Sequence, residues 1–300
     1  MTQLRRTSAQ LAKESKHFWS AVRKDVVFFV LVFAVFATVA SRHQDAAAAE
    51  TAPAAPNGAA FASLAITLWA LIFYDWATLP CMDPDDEDSP EAARLDAKWQ
   101  VISGVAGHSI YYTHQTMSIT AIYYTCSALA EFTDQPALRL ACYSASLFVA
   151  ADGVVLTLLW LRLNWLDAGW QRVRRAWETE GGCPNFGAIC VAVHVPTSIF
   201  ALVDVLVLRD SGLLARYTPS LGWTLRAYVY YAFVYVFVCW LNRCACGRYP
   251  YPFLVALEKP SKALPLGLLL FAAAVCVFIV AVALGLHWLV SATRGIEWQQ

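Results

Sequence analysis

Few residues able to do chemistry lie inside the long apolar stretches of this chain. Ionisable side chains are costly where a segment crosses a bilayer, so each is a functional candidate by default. Asp75, His108, His114, Asp152, His194, Asp204 and Arg226 make up that set. Asp75 lies close to the end of its stretch, and the long stem of Arg226 can carry the guanidinium to an interface. Asp152, between Ala151 and Gly153, has no such escape. It must be paired, protonated or facing a wet cavity, and the sequence names no partner for it.

Hydroxyls cluster near two of the histidines. On a helix Thr113, Thr116, Thr120 and Tyr124 fall along one face. Such a stripe also has a purely structural reading, since membrane-helix hydroxyls often bond the backbone or a neighbouring helix. His194 lies about eight residues, or ~12 Å, into its own stretch. A span beginning near residue 105 would place Thr113 at the same depth, which a Thr–His pair requires but which does not prove one. A threonine hydroxyl becomes a useful nucleophile when a neighbouring base removes its proton, and neutral imidazole suits that task near pH 7. The natural substrate of such a site is an ester dissolved in the bilayer. Thr116 and Ser118 are alternative nucleophiles, with His108 or His114 as alternative bases. However, His114 points about 100° away from Thr113 on a helix.

The elements that position these residues follow from composition. Of 300 residues, 59% are apolar and 15% charged, against roughly 45–50% and 25% in soluble domains. The mean hydropathy is +0.49. Lys and Arg number 22, as do Asp and Glu, so nothing favours a nucleic-acid partner. Apolar blocks at about 25–41, 59–80, 105–131, 140–162, 187–208, 223–243 and 264–290 each approach the ~20 residues of a transmembrane helix. No two-residue alternation suggests a membrane strand. The expected fold is therefore an all-α, polytopic transmembrane bundle. Basic residues concentrate in 1–24 and after the second, fourth and sixth blocks, which puts the N-terminus in the cytosol. Span 1, with its basic lead, also suits a signal sequence or signal anchor. The acidic run Asp83–Glu91 reads as a solvated loop, and 42–58 as an Ala/Pro linker. Cys126, Cys142, Cys190, Cys239 and Cys276 fall within spans and read as small apolar residues. Cys244 and Cys246 lack the second ligand pair that a zinc site needs, so no metal is expected.

Three blocks resemble the androgen-induced, androgen-dependent-inhibitor family of integral membrane threonine hydrolases, which act on fatty acid esters of hydroxy fatty acids. The first is Tyr112-Thr113-His114-Gln115, continuing through Tyr123-Tyr124 to Ala128–Glu131. The second is His194 followed by Phe200–Asp204. The third, the most specific, is Phe237-Val238-Cys239-Trp240-Leu241 with Gly247 and Tyr251-Pro252-Phe253-Leu254. The resemblance begins near residue 59 and covers six spans. It implies Thr113 as nucleophile and His194 as catalytic histidine, with Asp204 in the place of a family Glu. The chain departs from the family at Val191, where animal members carry a second histidine. It also departs at Asn242 and Arg243, which replace a His-His pair, and in one extra residue before Tyr251. Span 1 and the acidic loop have no counterpart.

The resulting expectation is a membrane lipid-ester hydrolase acting through an acyl-enzyme. Its domain of six spans occupies 59–292, between an N-terminal region (1–58) and a short tail (293–300). Thr113 and His194 would be catalytic, and Tyr112, Gln115, Thr116, Ser198 and Asp204 supporting. Tyr111, Tyr112, Gln115 and Ser198 are the candidate oxyanion donors. Membrane lipids and a lipid ester are the expected partners, with no cofactor, in an endomembrane system such as the endoplasmic reticulum or in the plasma membrane. The rival readings are a non-enzymatic lipid-binding or transport protein and a membrane haem protein using His108, His114 and His194. Haem ligation would require histidines opposed on facing helices.

Overall fold

The computed structural model describes residues 8–44, 57–78, 109, 111–166, 168–179, 185–246, 249–250, 254, 266–296 and 298. The acidic run, His108, most of the Ala/Pro linker and Tyr251–Phe253 lie outside them. The described elements are all helical: α1 (Ser8–Arg42), α2 (Gly58–Thr78), α3 (Tyr112–Phe132), α4 (Pro136–Leu166), α5 (Ala168–Thr179), α6 (Phe186–His194), α7 (Pro196–Val203), a π-helical turn (Asp204–Leu208), α8 (Ser211–Tyr217), α9 (Leu221–Cys246) and α10 (Leu266–Arg294).

Five stretches among these are long and apolar enough to cross a membrane: Val22–Arg42, Pro136–Leu166, Phe186–Leu208, Leu221–Ala245 and Gly267–Arg294. Apart from Pro136–Leu166, whose most apolar window is 56% buried, their apolar residues largely face outward. Only 28% of the most apolar window of Gly267–Arg294 is buried, and Leu270, Val277 and Trp288 on that helix are exposed. An exterior this apolar is matched by lipid rather than water. The protein is an integral membrane protein with an all-α bundle fold.

Of the two remaining expected spans, α2 is apolar over Gly58–Tyr74, the part whose side chains are described, and α3 falls short of the same measure. For α3 the reason is burial: Gln115–Ser118, Thr120–Tyr124, Cys126–Ala128 and Ala130 are all buried. A helix enclosed by its neighbours needs no apolar exterior, and it can carry the polar groups that a lipid-facing helix cannot. The start of α3 also differs from the expected 105. Residues 101–108 lie outside the described ones, and helical structure begins at Tyr112. Thr113 is therefore in the first turn of α3, not two turns into it.

Two apolar cores flank α4. One gathers residues of α1, α2, α3, α4 and α6, including Phe61, Leu68, Met117, Ile122 and Trp160. The other joins α4 to α7, α9 and α10 through Tyr143, Ala151, Val205, Tyr228 and Ile279. Helix α1 belongs to the first core: Phe36 packs against Tyr123 at 6.2 Å between ring centroids. The buried Asp25 carboxylate accepts from both the amide and hydroxyl of Ser109, each at 2.8 Å. These contacts tie α1 to α3 and to Ser109 ahead of it.

Candidate active site

Helix α6 ends at His194 because of Pro196. Proline supplies no amide proton and cannot continue the helix it interrupts. The ladder resumes with Ser198 and Ile199 donating to the Val195 carbonyl at 3.2 and 3.3 Å. The carbonyl of His194 is thereby left to side chains. It accepts the Thr157 hydroxyl at 2.5 Å and the Thr197 hydroxyl at 3.4 Å. Side-chain hydroxyls commonly satisfy backbone groups freed at a break inside a membrane. Close approach of α4 makes this possible. A Cβ on Gly153 would lie 2.9 Å from the Thr197 carbonyl oxygen and 3.2 Å from the Ser198 nitrogen, so only glycine fits there without displacing α7.

The break leaves the His194 ring between three fixed partners. Trp160 stacks on it, with centroids 5.3 Å apart and planes at 18°. Nδ1 lies 2.6 Å from the Cys190 carbonyl oxygen. That oxygen can only accept, so Nδ1 carries the proton and Nε2 presents its lone pair. Nε2 lies 3.0 Å from the Thr113 Oγ1, and the threonine hydroxyl donates to it. The nucleophile–base–orienter order of hydrolytic triads is present, with a backbone carbonyl as orienter. Both Thr113 and His194 are only partly buried, so the pair is not sealed from a substrate.

The other candidate residues separate into two regions. Near Thr113, the Tyr112 hydroxyl donates to Asp152 Oδ1 at 2.5 Å, which supplies the partner the sequence could not name. Gln115 donates to the Ser109 carbonyl at 2.6 Å and accepts from the Tyr231 hydroxyl at 2.8 Å. Thr116 is fully buried and lies beside the Asp152 carboxylate. Ser198 Oγ is committed to the Val195 carbonyl at 2.8 Å.

Asp204 is not brought to this site. It begins the π-helical turn ten residues beyond His194, about 15 Å along the helix axis. There its carboxylate accepts from the Tyr123 hydroxyl and from Arg209 Nε, the latter at 2.8 Å. Arg209 also donates to the Tyr123 and Ser127 hydroxyls and lies 4.4 Å from the Phe61 ring centroid. Its carbonyl accepts from Arg294 at 2.6 Å. Arg209, one residue beyond the apolar block 187–208, is the residue that sequence reasoning missed. Among the described residues, no three of His, Cys, Asp and Glu come together so as to hold a metal ion. The chain matches no family model, no curated protein and no solved structure.

Proposed function

We propose that the protein is an intramembrane lipid-ester hydrolase, related to the threonine hydrolases it resembles, with Thr113 as nucleophile and His194 as general base. The observation that carries this reading is the 3.0 Å contact between Thr113 Oγ1 and His194 Nε2, with Nδ1 held by the Cys190 carbonyl. Thr113 Oγ1 bonds to the ester carbonyl carbon as its proton passes to Nε2. Collapse of the tetrahedral intermediate breaks the bond to the leaving oxygen, which takes that proton from His194 and departs as an alcohol. Water, deprotonated by the same nitrogen, then releases the acid and restores Thr113.

Oxyanion stabilisation falls to the backbone. Gln115 and Ser198 are committed elsewhere, and the Tyr112 hydroxyl is held by Asp152. The amide of Thr113 is in the first turn of α3, where helix geometry provides no intrahelical acceptor. Fatty acid esters of hydroxy fatty acids and related lipids are the substrates this reading takes from the resemblance. The basic loops support a cytosolic N-terminus, in an endomembrane or the plasma membrane.

Fluorophosphonate labelling of the purified protein, with hydrolysis of a branched fatty-acid ester, tests the proposal. Label should map to Thr113 and disappear in folded Thr113→Ala and His194→Ala. Unchanged labelling and turnover in both variants would remove the site, and no labelling of the parent protein would favour a lipid-binding role without chemistry.

A further inference from the structure

Helix α4 grips His194 along one face. Gly153, Thr157 and Trp160 fall at i, i+4 and i+7 on that helix and so share a side. Gly153 admits the backbone of α7, Thr157 donates to the His194 carbonyl, and Trp160 lies against the imidazole itself. The two rings are stacked rather than edge-on, with planes at 18° and centroids 5.3 Å apart. Trp160 is 7% exposed and packs within the first core, so little of the indole is left for solvent to screen. An aromatic ring carries negative potential on its face. A cation within about 6 Å of the centroid is attracted to it, most strongly when the ring is an indole and the pair is desolvated.

We infer that Trp160 is a positioning residue that holds the His194 ring and stabilises the imidazolium formed when Thr113 attacks. This rests on reading Thr113 and His194 as nucleophile and base, and it goes further by naming a group that answers the charge. As Thr113 Oγ1 bonds to the ester carbonyl carbon, its proton moves to Nε2 and the neutral imidazole becomes a cation. In a Ser–His–Asp triad the group on Nδ1 is a carboxylate, which both orients the ring and answers that charge. The Cys190 carbonyl orients the His194 ring, but a carbonyl oxygen carries only a partial negative charge. The face of Trp160 supplies an attraction that grows as the proton arrives. An interaction of that kind raises turnover rather than ground-state binding.

Site-specific replacement of Trp160, one of 12 tryptophans, by mono-, di- and trifluorinated tryptophan tests this in the full chain in lipid nanodiscs. Fluorine drains the ring face of negative potential while nearly preserving its shape. The readout is the rate of fluorophosphonate labelling at Thr113, measured at a pH where the imidazole is neutral. In that reaction Oγ1 bonds to phosphorus, fluoride leaves and the proton passes to His194. The rate should fall with each added fluorine, to about tenfold below the parent for the trifluoro form, with the unfolding temperature unchanged. Trp160→Phe, which keeps a ring, should lose about threefold and Trp160→Leu about thirtyfold. Rates indifferent to fluorination would overturn the inference and leave Trp160 as packing alone. Rates that rise would overturn it as well, because fluorine strengthens the indole N–H as a donor and a rise would assign Nε1 to a substrate oxygen. Absence of Thr113 labelling in the parent would reject the hydrolase and this inference together, whereas labelling without the fluorine trend rejects the inference alone.

Discussion

Two polar regions lie inside this apolar bundle, each containing an aspartate that bonds a tyrosine of α3. Around Asp204 every visible demand is met. Arg209 answers the charge, Tyr123 and Ser127 fill the remaining directions, and both Asp204 and Arg209 side chains are 1% exposed. Around Asp152, among the described residues, no cation answers the carboxylate, which has the hydroxyls of Tyr112 and Thr116 beside it instead. A closed network adds cohesion between helices and offers nothing to a ligand. A carboxylate answered by hydroxyls alone is held at a cost in stability that the rest of the core must offset.

The contrast can be broken from either side. The largest effect expected is on chemistry: Thr113→Ala should lower turnover by about a thousandfold or more while thermal unfolding stays near that of the parent. Arg209→Met should do the reverse. It leaves Asp204 as an uncompensated buried charge and should destabilise the bundle by about 3–5 kcal/mol, read from thermal unfolding in detergent. The double variant Asp204→Leu with Arg209→Met should recover most of that loss, and labelling per folded molecule should hold throughout. Gly153→Ala tests positioning. The added Cβ pushes on the Thr197 carbonyl and through it on His194, so labelling should slow by about ten- to a hundredfold, and displacement of α7 should also lower the unfolding temperature.

Thr157→Val removes the hydroxyl that serves the His194 carbonyl and should cost about 1–3 kcal/mol of stability. The smallest effect concerns His43, beyond the end of α1, whose ring nitrogen lies 3.0 Å from Ser144 Oγ. Burial lowers its pKa from the ordinary 6.5. The unfolded chain therefore binds a proton more readily, and His43 subtracts stability as pH falls below 6.5. Unfolding temperatures of His43→Gln at pH values on either side should show a shallower acid-side decline than the parent.

Long apolar blocks with charges between them were enough to read the bundle from the sequence, because lipid demands both. The hydroxyls of α3 and His194 were visible as candidates, but the resemblance to a known family, and not their depth, singled out Thr113 and His194, since α3 begins only at Tyr112. What brings them together was less legible. Pro196 was visible, but its effect on the His194 carbonyl depends on Thr157 from another helix. Arg209 was hidden by its spacing. Five residues on an α-helix separate side chains by about 140°, so Asp204 and Arg209 did not read as partners. The π-helical turn, with the Arg209 amide bonding the Asp204 carbonyl at 3.0 Å, swings them to one side. Asp152 and Tyr112 find each other only through packing of separate helices, and no local pattern records that.

The hold of Asp25 on Ser109 has a practical side. The residues resembling a known family begin only with the second span, which invites treating the first as dispensable. Yet Ser109 bonds Gln115, which lies three residues after Tyr112 and two after Thr113 in the first turns of α3. Trimming the chain to six spans would strip the acceptor from the stretch that leads into Thr113. An inactive trimmed protein would then say nothing against Thr113, and the first helix is better treated as part of the frame around the Thr113–His194 pair than as an address label.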